Sequence, residues 1–267
     1  MILPKELYDL YSMPMIAKFM ATIDGDGNTN LAFIASIDTW EEKSDFIIFG
    51  EFLMWKSLEN LKVNRKVGTM AMDVDLVFGA VNGDFNDDFT NTGPYFDKIA
   101  YNEMFRYNAY TKIRTAGTIT IKETVMPRQV GKLAIVSDMF QAKGKRKKLA
   151  GTNGVNMPLT VKKKFDLMQA IKAVSFIADG TDYPTIAPVM SMFPIDGKSL
   201  VFKVSGYNEE ELKQLKNGQH VAVMVLTMDP IAYQVKGRVD TFDGSYGKIV
   251  IEEVFSSSPP LAGEKIA

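Results

Sequence analysis

Apolar runs alternate with short polar clusters along most of this 267-residue chain. In residues 19–37, FMATIDGDGNTNLAFIASI, one apolar run enters a cluster of Gly, Asp and Asn and a second run leaves it. That pattern is typical of a β-hairpin. A four-residue apolar run, Phe46 to Phe49, ends at Gly50, and helical spacing of apolar residues follows. The pattern predicts a chain made mainly of short strands with few helices.

The pattern occurs twice along the chain. Asp24-Gly25 aligns with Asp179-Gly180, and further segments align in the same order. Because closing an antiparallel sheet into a barrel removes its exposed edges, we predict two small barrels of about six antiparallel strands each, packed as a pseudo-dimer. The aligned segments are 19–37 with 174–192, 46–49 with 199–202, 58–72 with 212–226 and 119–125 with 249–255.

The repeat divides the chain into a first barrel at 1–137, a basic linker at 138–164 and a second barrel at 165–267. The linker contains KGKRKK at 143–148, but no aromatic residues are interleaved as single-stranded nucleic acid would require. We therefore interpret it as solvated and expect no nucleic-acid partner.

The first copy also holds an inserted segment at 85–110, for which the second copy has no counterpart. Its apolar positions recur at helical spacing and are interpreted either as packing against the barrel or as a wall for a flat ligand. These positions are Phe96, Ala100, Glu103 or Met104, and Tyr107.

Composition excludes several kinds of site. The chain has no cysteine and a single histidine, His220, so thiolate chemistry, disulfides and multi-histidine metal sites are excluded. The net charge of -1 provides no global attraction to nucleic acid or to acidic membranes. The N-terminal residues MILPKELYDL do not have the pattern of a secretory leader, and no apolar run is long enough to span a bilayer. We expect a cytoplasmic protein without a membrane partner.

The helical pattern after Gly50 begins with Lys56 and Ser57 near its first turn. Helix N-termini present backbone N–H groups and the positive end of the helix dipole, and an ammonium and a hydroxyl group beside them favour an anion. The pair predicts a phosphate site, although a capped surface helix has the same local sequence.

Taken together, the hairpin, the segment FGEFLMWKSLENL and the repeat resemble the FMN-binding split-barrel family, the pyridoxamine-phosphate-oxidase-like proteins. The likeness is strongest to small bacterial FMN-binding proteins and flavoredoxin-like flavin reductases, and in the first copy it covers about 14–125. It implies a mainly β fold of two tandem split β-barrel domains, with FMN as the cofactor.

The resemblance also assigns roles to individual residues. It makes Lys56 and Ser57 the phosphate ligands, with Asn60 in support, and it places the second hairpin strand beside the flavin ring. Gly50 either forms a tight turn near the ligand or simply ends the strand. The tryptophans either shield the flavin or pack in the core or at its rim. The remaining implied residues are Phe33, Ile34, Ala35 and Ser36 beside the ring, the basic Arg114, which is otherwise a surface arginine, and Trp55, with Trp40 as a second shield.

The repeat predicts that the second copy lacks this site. With the helices in register, Lys56 falls on Glu210 and Ser57 on Glu211. Carboxylates at this position repel a phosphate by about 4 kcal/mol per close pair at an effective dielectric constant near 20. We predict one FMN per chain, bound by the first copy at the pseudo-dimer interface, and a monomeric protein, because the fused copies already supply the dimer contact.

These features favour a flavin-dependent oxidoreductase or electron carrier that takes electrons from NAD(P)H or from a redox protein. No acid–base constellation identifies catalytic residues, and His220 aligns with Lys66 at the start of a strand. The alternative is a non-catalytic module that stores flavin, binds haem or serves as an interaction scaffold.

Overall fold

The computed structural model describes residues 1–102, 112–149 and 153–267. The chain folds into two units of similar size. The first consists of Met1–Gly27, Ala32–Gln129 and Asp182–Pro184, and the second of Asn28–Leu31, Val130–Thr181 and Thr185–Ala267.

The first unit is built on a seven-stranded sheet in the order β2-β1-β5-β6-β7-β4-β3, and all strand pairs whose register is described are antiparallel. Its strands are β1 (Ala17–Ile23), β2 (Thr29–Phe33), β3 (Asp38–Thr39), β4 (Phe46–Gly50), β5 (Lys66–Met72), β6 (Val77–Phe85) and β7 (Ala116–Gln129). Its described helices are α1 (Lys5–Ser12), α2 (Trp55–Val63) and α3 (Pro94–Ala100).

The second unit has a seven-stranded sheet with the equivalent order, β9-β8-β12-β13-β14-β11-β10. Its strands are β8 (Ile171–Ile177), β9 (Pro184–Pro188), β10 (Phe193–Pro194), β11 (Ser199–Lys203), β12 (His220–Leu226), β13 (Ala232–Phe242) and β14 (Tyr246–Ser256). Its described helices are α4 (Lys132–Leu149), α5 (Leu159–Asp166) and α6 (Glu209–Leu212).

Each sheet surrounds one hydrophobic core. In the first unit, side chains from five strands meet in a single buried cluster, which requires the sheet to curl around it. These side chains include Met20, Phe49, Val67, Val81 and Ile119. The second unit has the same arrangement, with Val174, Leu200, Val223, Val235 and Ile249.

The predicted mainly β fold of two similar antiparallel units is confirmed. Each sheet has seven strands rather than about six, because the two-residue strands β3 and β10 extend it at one edge. Strands of two residues are too short to produce a periodic apolar signal.

Equivalent hydrogen bonds show which residues of the two sheets correspond to each other. Ile34 N donates to Lys18 O at 2.8 Å, and Val189 N donates to Lys172 O at 2.7 Å. Lys18 therefore corresponds to Lys172, one residue away from the alignment derived from sequence in this strand. The correction matters because it places two buried lysines at equivalent positions.

The segment predicted to be a solvated linker is largely structured. The helix α4 covers its first half and contacts β11, with Asp138, Met139 and Ala142 buried along one face. The basic run at 143–148 lies in the last turns of this helix. Its apolar contacts are spaced three to four residues apart, a signal masked by the many lysines between them.

The inserted segment contributes α3, whose Ile99 is buried against β4. Its predicted helical positions at 103, 104 and 107 lie outside the described residues. No helix within the described ranges is long and apolar enough to cross a membrane.

Candidate functional site

The candidate site lies at the corner where β4 leads into α2. Ile47 and Phe49 point into the main core and Ile48 into a smaller cluster, so β4 is buried on both faces. This burial explains its unbroken apolar run. The chain leaves the strand at Gly50 and enters α2 at Trp55, after Met54 in the N-cap position, which provides no side-chain cap.

An exposed tryptophan and an arginine meet at this corner. The guanidinium carbon of Arg114 lies 4.2 Å from the ring centroid of Trp55, within the range of a cation–π contact. The backbone of Glu51 pairs with the segment that carries Arg114. The Glu51 N–H donates to Thr115 O at 2.7 Å, and the Glu51 carbonyl accepts from Arg114 N at 3.1 Å. Its carboxylate lies 3.7 Å from the Arg114 guanidinium. The structure thus brings Trp55 and Arg114, far apart in sequence, to one surface.

Lys56 and Ser57 occupy the first turn of α2, as the sequence predicts. Lys56 is half-buried, whereas Ser57 is buried. Asn60, one turn later, is also buried, and its Nδ2 donates to Thr22 Oγ1 at 3.0 Å. Lys56 is therefore accessible at the surface, while Asn60 fastens α2 to β1.

Gly50 lies in a packed environment. Its carbonyl accepts from Ser36 Oγ at 2.7 Å, and its N–H donates back to Ser36 Oγ at 3.2 Å. A Cβ at Gly50 would come within 2.8 Å of Ile99 and 2.9 Å of Ile113. These isoleucines leave no room for a side chain at this position. A glycine is therefore required by packing within the protein itself.

The residues predicted to lie beside a flavin ring have separate environments. Phe33 packs edge-to-face on Phe19, with 6.2 Å between ring centroids. The Ile34 side chain is buried in the core, and its N–H is used by the bond to Lys18 O. Ala35 and Ser36 line a small depression of the first unit.

That depression contains a functional candidate that sequence reasoning missed. Lys18 lines it, is almost fully buried, and donates from Nζ to Ile37 O at 2.8 Å. Burial lowers the pKa of Lys18 to about 8, a shift that Asp38 opposes and Lys98 reinforces. The cavity volume is about 20 Å³, room for about one water molecule. A lysine inside the apolar strand AKFMATI was the available signal.

The equivalent corner of the second unit has the opposite character. The first turn of α6 carries Glu209, Glu210 and Glu211 in sequence. Lys203 replaces Gly50, since Ser191 Oγ donates to its carbonyl at 2.8 Å in the same arrangement. Its Nζ donates to the buried carboxylate of Asp138, from α4, at 2.7 Å. The charge of Lys203 is thus neutralised within this corner.

The remaining residues singled out in the sequence either pack against neighbouring side chains or lie at the start of a strand. Trp40 packs edge-to-face on Tyr95 at 4.6 Å between ring centroids, with Lys98 Nζ 5.9 Å from the Trp40 ring. His220 is half-buried in the first position of β12, equivalent to Lys66 in β5. Within the described part of the chain, no group of His, Asp or Glu side chains has the arrangement of a metal site.

No protein-family model and no curated protein matches this chain. Among solved structures it is similar to an FMN-binding protein of Syntrophomonas wolfei, with 20% identity, a TM-score of 0.41, and coverage of 48% of this chain and 87% of that one. A proposed pyridoxamine 5′-phosphate oxidase of Lactobacillus delbrueckii matches with 22% identity, a TM-score of 0.36, and coverage of 46% and 93%. HutZ, a haem storage protein of Vibrio cholerae, matches with 11% identity, a TM-score of 0.35, and coverage of 48% and 97%.

These solved structures have the split-barrel fold that the sequence resemblance implies, and each covers about half of this chain. Identities of 22% or less and TM-scores below 0.5 define neither a ligand nor an activity for this chain.

Proposed function

We propose that the first unit binds FMN with its phosphate at the start of α2, and that the protein is a flavin-dependent oxidoreductase or electron carrier. The observation that carries this proposal is the contact between Arg114 and the exposed Trp55 at the start of α2, in the same helix turn as Lys56. The same helix turn of the second unit is Glu209 to Glu211, so the cationic surface is a property of one unit.

The chemistry of the corner fits a phosphate monoester. Lys56 supplies an ammonium group in the first turn of α2, and the helix dipole adds positive potential at the same end. Arg114 lies beside Trp55 with 55% of its side chain exposed, and a guanidinium group is well suited to bidentate contacts with phosphate. In this proposal Ser57 and Asn60 act by positioning α2, because both are buried.

When bound, the flavin supplies the electron transfer, and the protein supplies binding and orientation. Lys56 and Arg114 hold the phosphate, Trp55 presents an aromatic surface beside it, and Glu51 orients the Arg114 guanidinium from 3.7 Å. Ala35 and Ser36 line the small depression that also contains Lys18.

The test is the visible spectrum of the purified protein followed by titration with FMN. We expect the flavin absorption bands, or uptake of added FMN, with saturation at one FMN per chain. Saturation at two per chain contradicts the assignment to one unit. A colourless protein that takes up no FMN overturns the proposal, and a Soret band in place of the flavin bands supports haem binding instead.

Reduction separates an enzyme from a carrier. The FMN-loaded protein is mixed anaerobically with NADH and then with NADPH, and bleaching of the flavin bands is followed. Reduction by either nucleotide supports a reductase, and the absence of reduction by both leaves a carrier served by a protein donor.

A further inference from the structure

A group of cations surrounds one phenylalanine in the second unit, apart from the corner described above. The ring of Phe193, in β10, lies 3.9 Å from Lys172 Nζ, 4.5 Å from Lys143 Nζ and 5.3 Å from the guanidinium carbon of Arg146, each measured to the ring centroid. Lys143 and Arg146 project from α4 and Lys172 from β8. Three positive side chains from two elements thus converge on one buried aromatic ring.

Two buried hydrogen-bond donors in this group have no acceptor among the described residues. Lys172 is fully buried, and its Nζ makes no hydrogen bond there. Arg146 donates through Nη2 to Asp166 at 2.6 Å, yet its Nε is also buried without an acceptor. Buried donors are almost always satisfied, so two such donors beside the same ring indicate an acceptor that the described part of the chain does not provide.

The equivalent lysine of the first unit shows what is missing. Lys18 Nζ donates to Ile37 O, with the carboxylate of Asp38 close enough to influence its charge. In the second unit the position of Asp38 is taken by Phe193, whose ring cannot accept a conventional hydrogen bond or neutralise a full charge. Lys172 is therefore buried like Lys18, but no carboxylate occupies the position equivalent to Asp38.

The charges around Lys172 do not balance. Asp166 is the carboxylate that acts on this group, against the three cations. The pKa of Lys172 is lowered to about 7, chiefly by burial; Lys143 and Arg146 contribute to this lowering, and Asp166 opposes it. An ammonium group in this environment gains more from a negative acceptor than from a neutral water molecule, because only the anion offsets the neighbouring cations.

We propose that the group formed by Lys143, Arg146, Lys172 and Phe193 binds a small tetrahedral oxyanion, either inorganic or as the terminal phosphate of a phosphomonoester. The anion accepts from Lys172 Nζ and Arg146 Nε, and Lys143 contributes charge. Arg146 has 27% of its side chain exposed and Lys143 is half-buried, so the α4 side of the group faces solvent. The proposal does not depend on flavin binding by the first unit.

The first test uses sulfate, which does not change its charge between pH 6 and 9. The full-length wild-type protein, with lysine side chains labelled for NMR, is titrated with sulfate at constant ionic strength held by sodium chloride. We expect saturable binding that raises the pKa of Lys172 and weakens about tenfold from pH 6 to pH 8, as the ammonium group loses its proton. The absence of saturable binding in the millimolar range, or a Lys172 titration unaffected by sulfate, overturns the proposal and leaves water as the acceptor.

The second test compares two variants of the same helix by calorimetry. Arg146→Gln removes one donor and one charge from the group, and we expect at least about tenfold weaker sulfate binding. Lys145→Gln is the matched control, because Lys145 lies over Tyr246 at 4.6 Å from that ring instead. We expect its affinity to stay within about twofold of wild type. Equal losses in both variants contradict a local site and indicate general charge screening.

Two further titrations distinguish the sources of the anion. Inorganic phosphate and ribose 5-phosphate are each added to the wild-type protein and to Lys143→Gln. Tighter binding of the sugar phosphate identifies a phosphomonoester ligand, and tighter binding of inorganic phosphate identifies a free anion. If neither binds, and sulfate also fails to bind, the proposal is wrong.

Discussion

The corner between β4 and α2 and its counterpart between β11 and α6 share one backbone design and differ in how charge is handled. In both corners, a serine hydroxyl donates to the carbonyl of the last residue of the strand and accepts from the N–H of that residue. The pairs are Ser36 with Gly50 and Ser191 with Lys203. The first corner presents Lys56 at its helix start, and the second presents three glutamates.

The difference lies in how each corner of this shared scaffold places its charged side chains, and it supports the binding surface proposed for the first unit. In the second unit, Lys203 and Ser205 both donate to Asp138, so this ammonium group and this carboxylate are satisfied from within. In the first unit the exposed indole of Trp55 carries the Arg114 guanidinium, and Lys56 lies in the same helix turn. An external anion is therefore favoured at one corner only.

The largest expected effect comes from breaking the internal ion pair of the second corner. Asp138→Ala leaves the Lys203 ammonium, with only 19% of its side chain exposed, without its carboxylate. We expect the free energy of unfolding to fall by about 3 kcal/mol, measured by urea denaturation. Glu209→Ala is the matched control, since it removes an exposed i,i+4 pair with Lys213 and costs less than about 0.5 kcal/mol. A loss below about 1 kcal/mol in Asp138→Ala contradicts internal neutralisation of this corner.

The next effect compares the two equivalent buried lysines. In chloride buffer without sulfate or phosphate, Lys172→Met is expected to stabilise the protein by about 2 kcal/mol at pH 6, because the folded state then no longer holds a buried ammonium group. The folded pKa of about 7 lies below the unfolded value, so the penalty is complete below pH 7 and is relieved as pH rises from 7 towards 10. The gain should therefore shrink over that range in a series of urea denaturations.

Lys18→Met serves as the comparison for this effect. It also removes a buried ammonium group, but it leaves Ile37 O without its donor. We expect the two changes to offset each other to within about 1 kcal/mol at pH 6. If both variants are stabilised equally, the hydrogen bond of Lys18 does not distinguish the two units.

A smaller effect is expected from reversing the charge at the first corner. Lys56→Glu places at α2 the residue type found at the equivalent position of α6, and we expect FMN affinity to fall about 30-fold or more by fluorescence titration. Lys62→Glu, in the last turn of the same helix, is the control and should change affinity less than about threefold. Undiminished binding by Lys56→Glu shows that the phosphate binds elsewhere.

The smallest expected effect comes from Arg114→Ala. It removes the cation over Trp55 and one phosphate contact, and we expect about fivefold weaker FMN binding, since an exposed cation–π or ionic contact contributes about 1 kcal/mol. The emission of Trp55 should change in the apoprotein as well. Lys112→Ala is a nearby control, and equal losses in the two variants point to long-range charge instead of a specific contact.

Much of the site was predictable in kind but not in detail. The start of α2 at Lys56 and Ser57 follows from local helical spacing, and the acidic start of α6 follows from the repeat. The burial of Ser57 and the bond from Asn60 to Thr22 did not follow, because they depend on how α2 packs on β1. The helix α4 in the first half of 138–164 was not predicted, since charged residues on its outer face concealed the contacts of Asp138 and Met139.

The sequence by itself determined the mainly β character, the two-fold repetition of elements and the opposite charges of the two helix starts, because each is encoded in residues near one another along the chain. The tertiary structure alone decided which distant side chains meet. It placed Arg114 on Trp55, Ile99 and Ile113 over Gly50, and Lys172 on Phe193. These contacts depend on strand register and on the curvature of each sheet, which bring together residues that no local pattern relates.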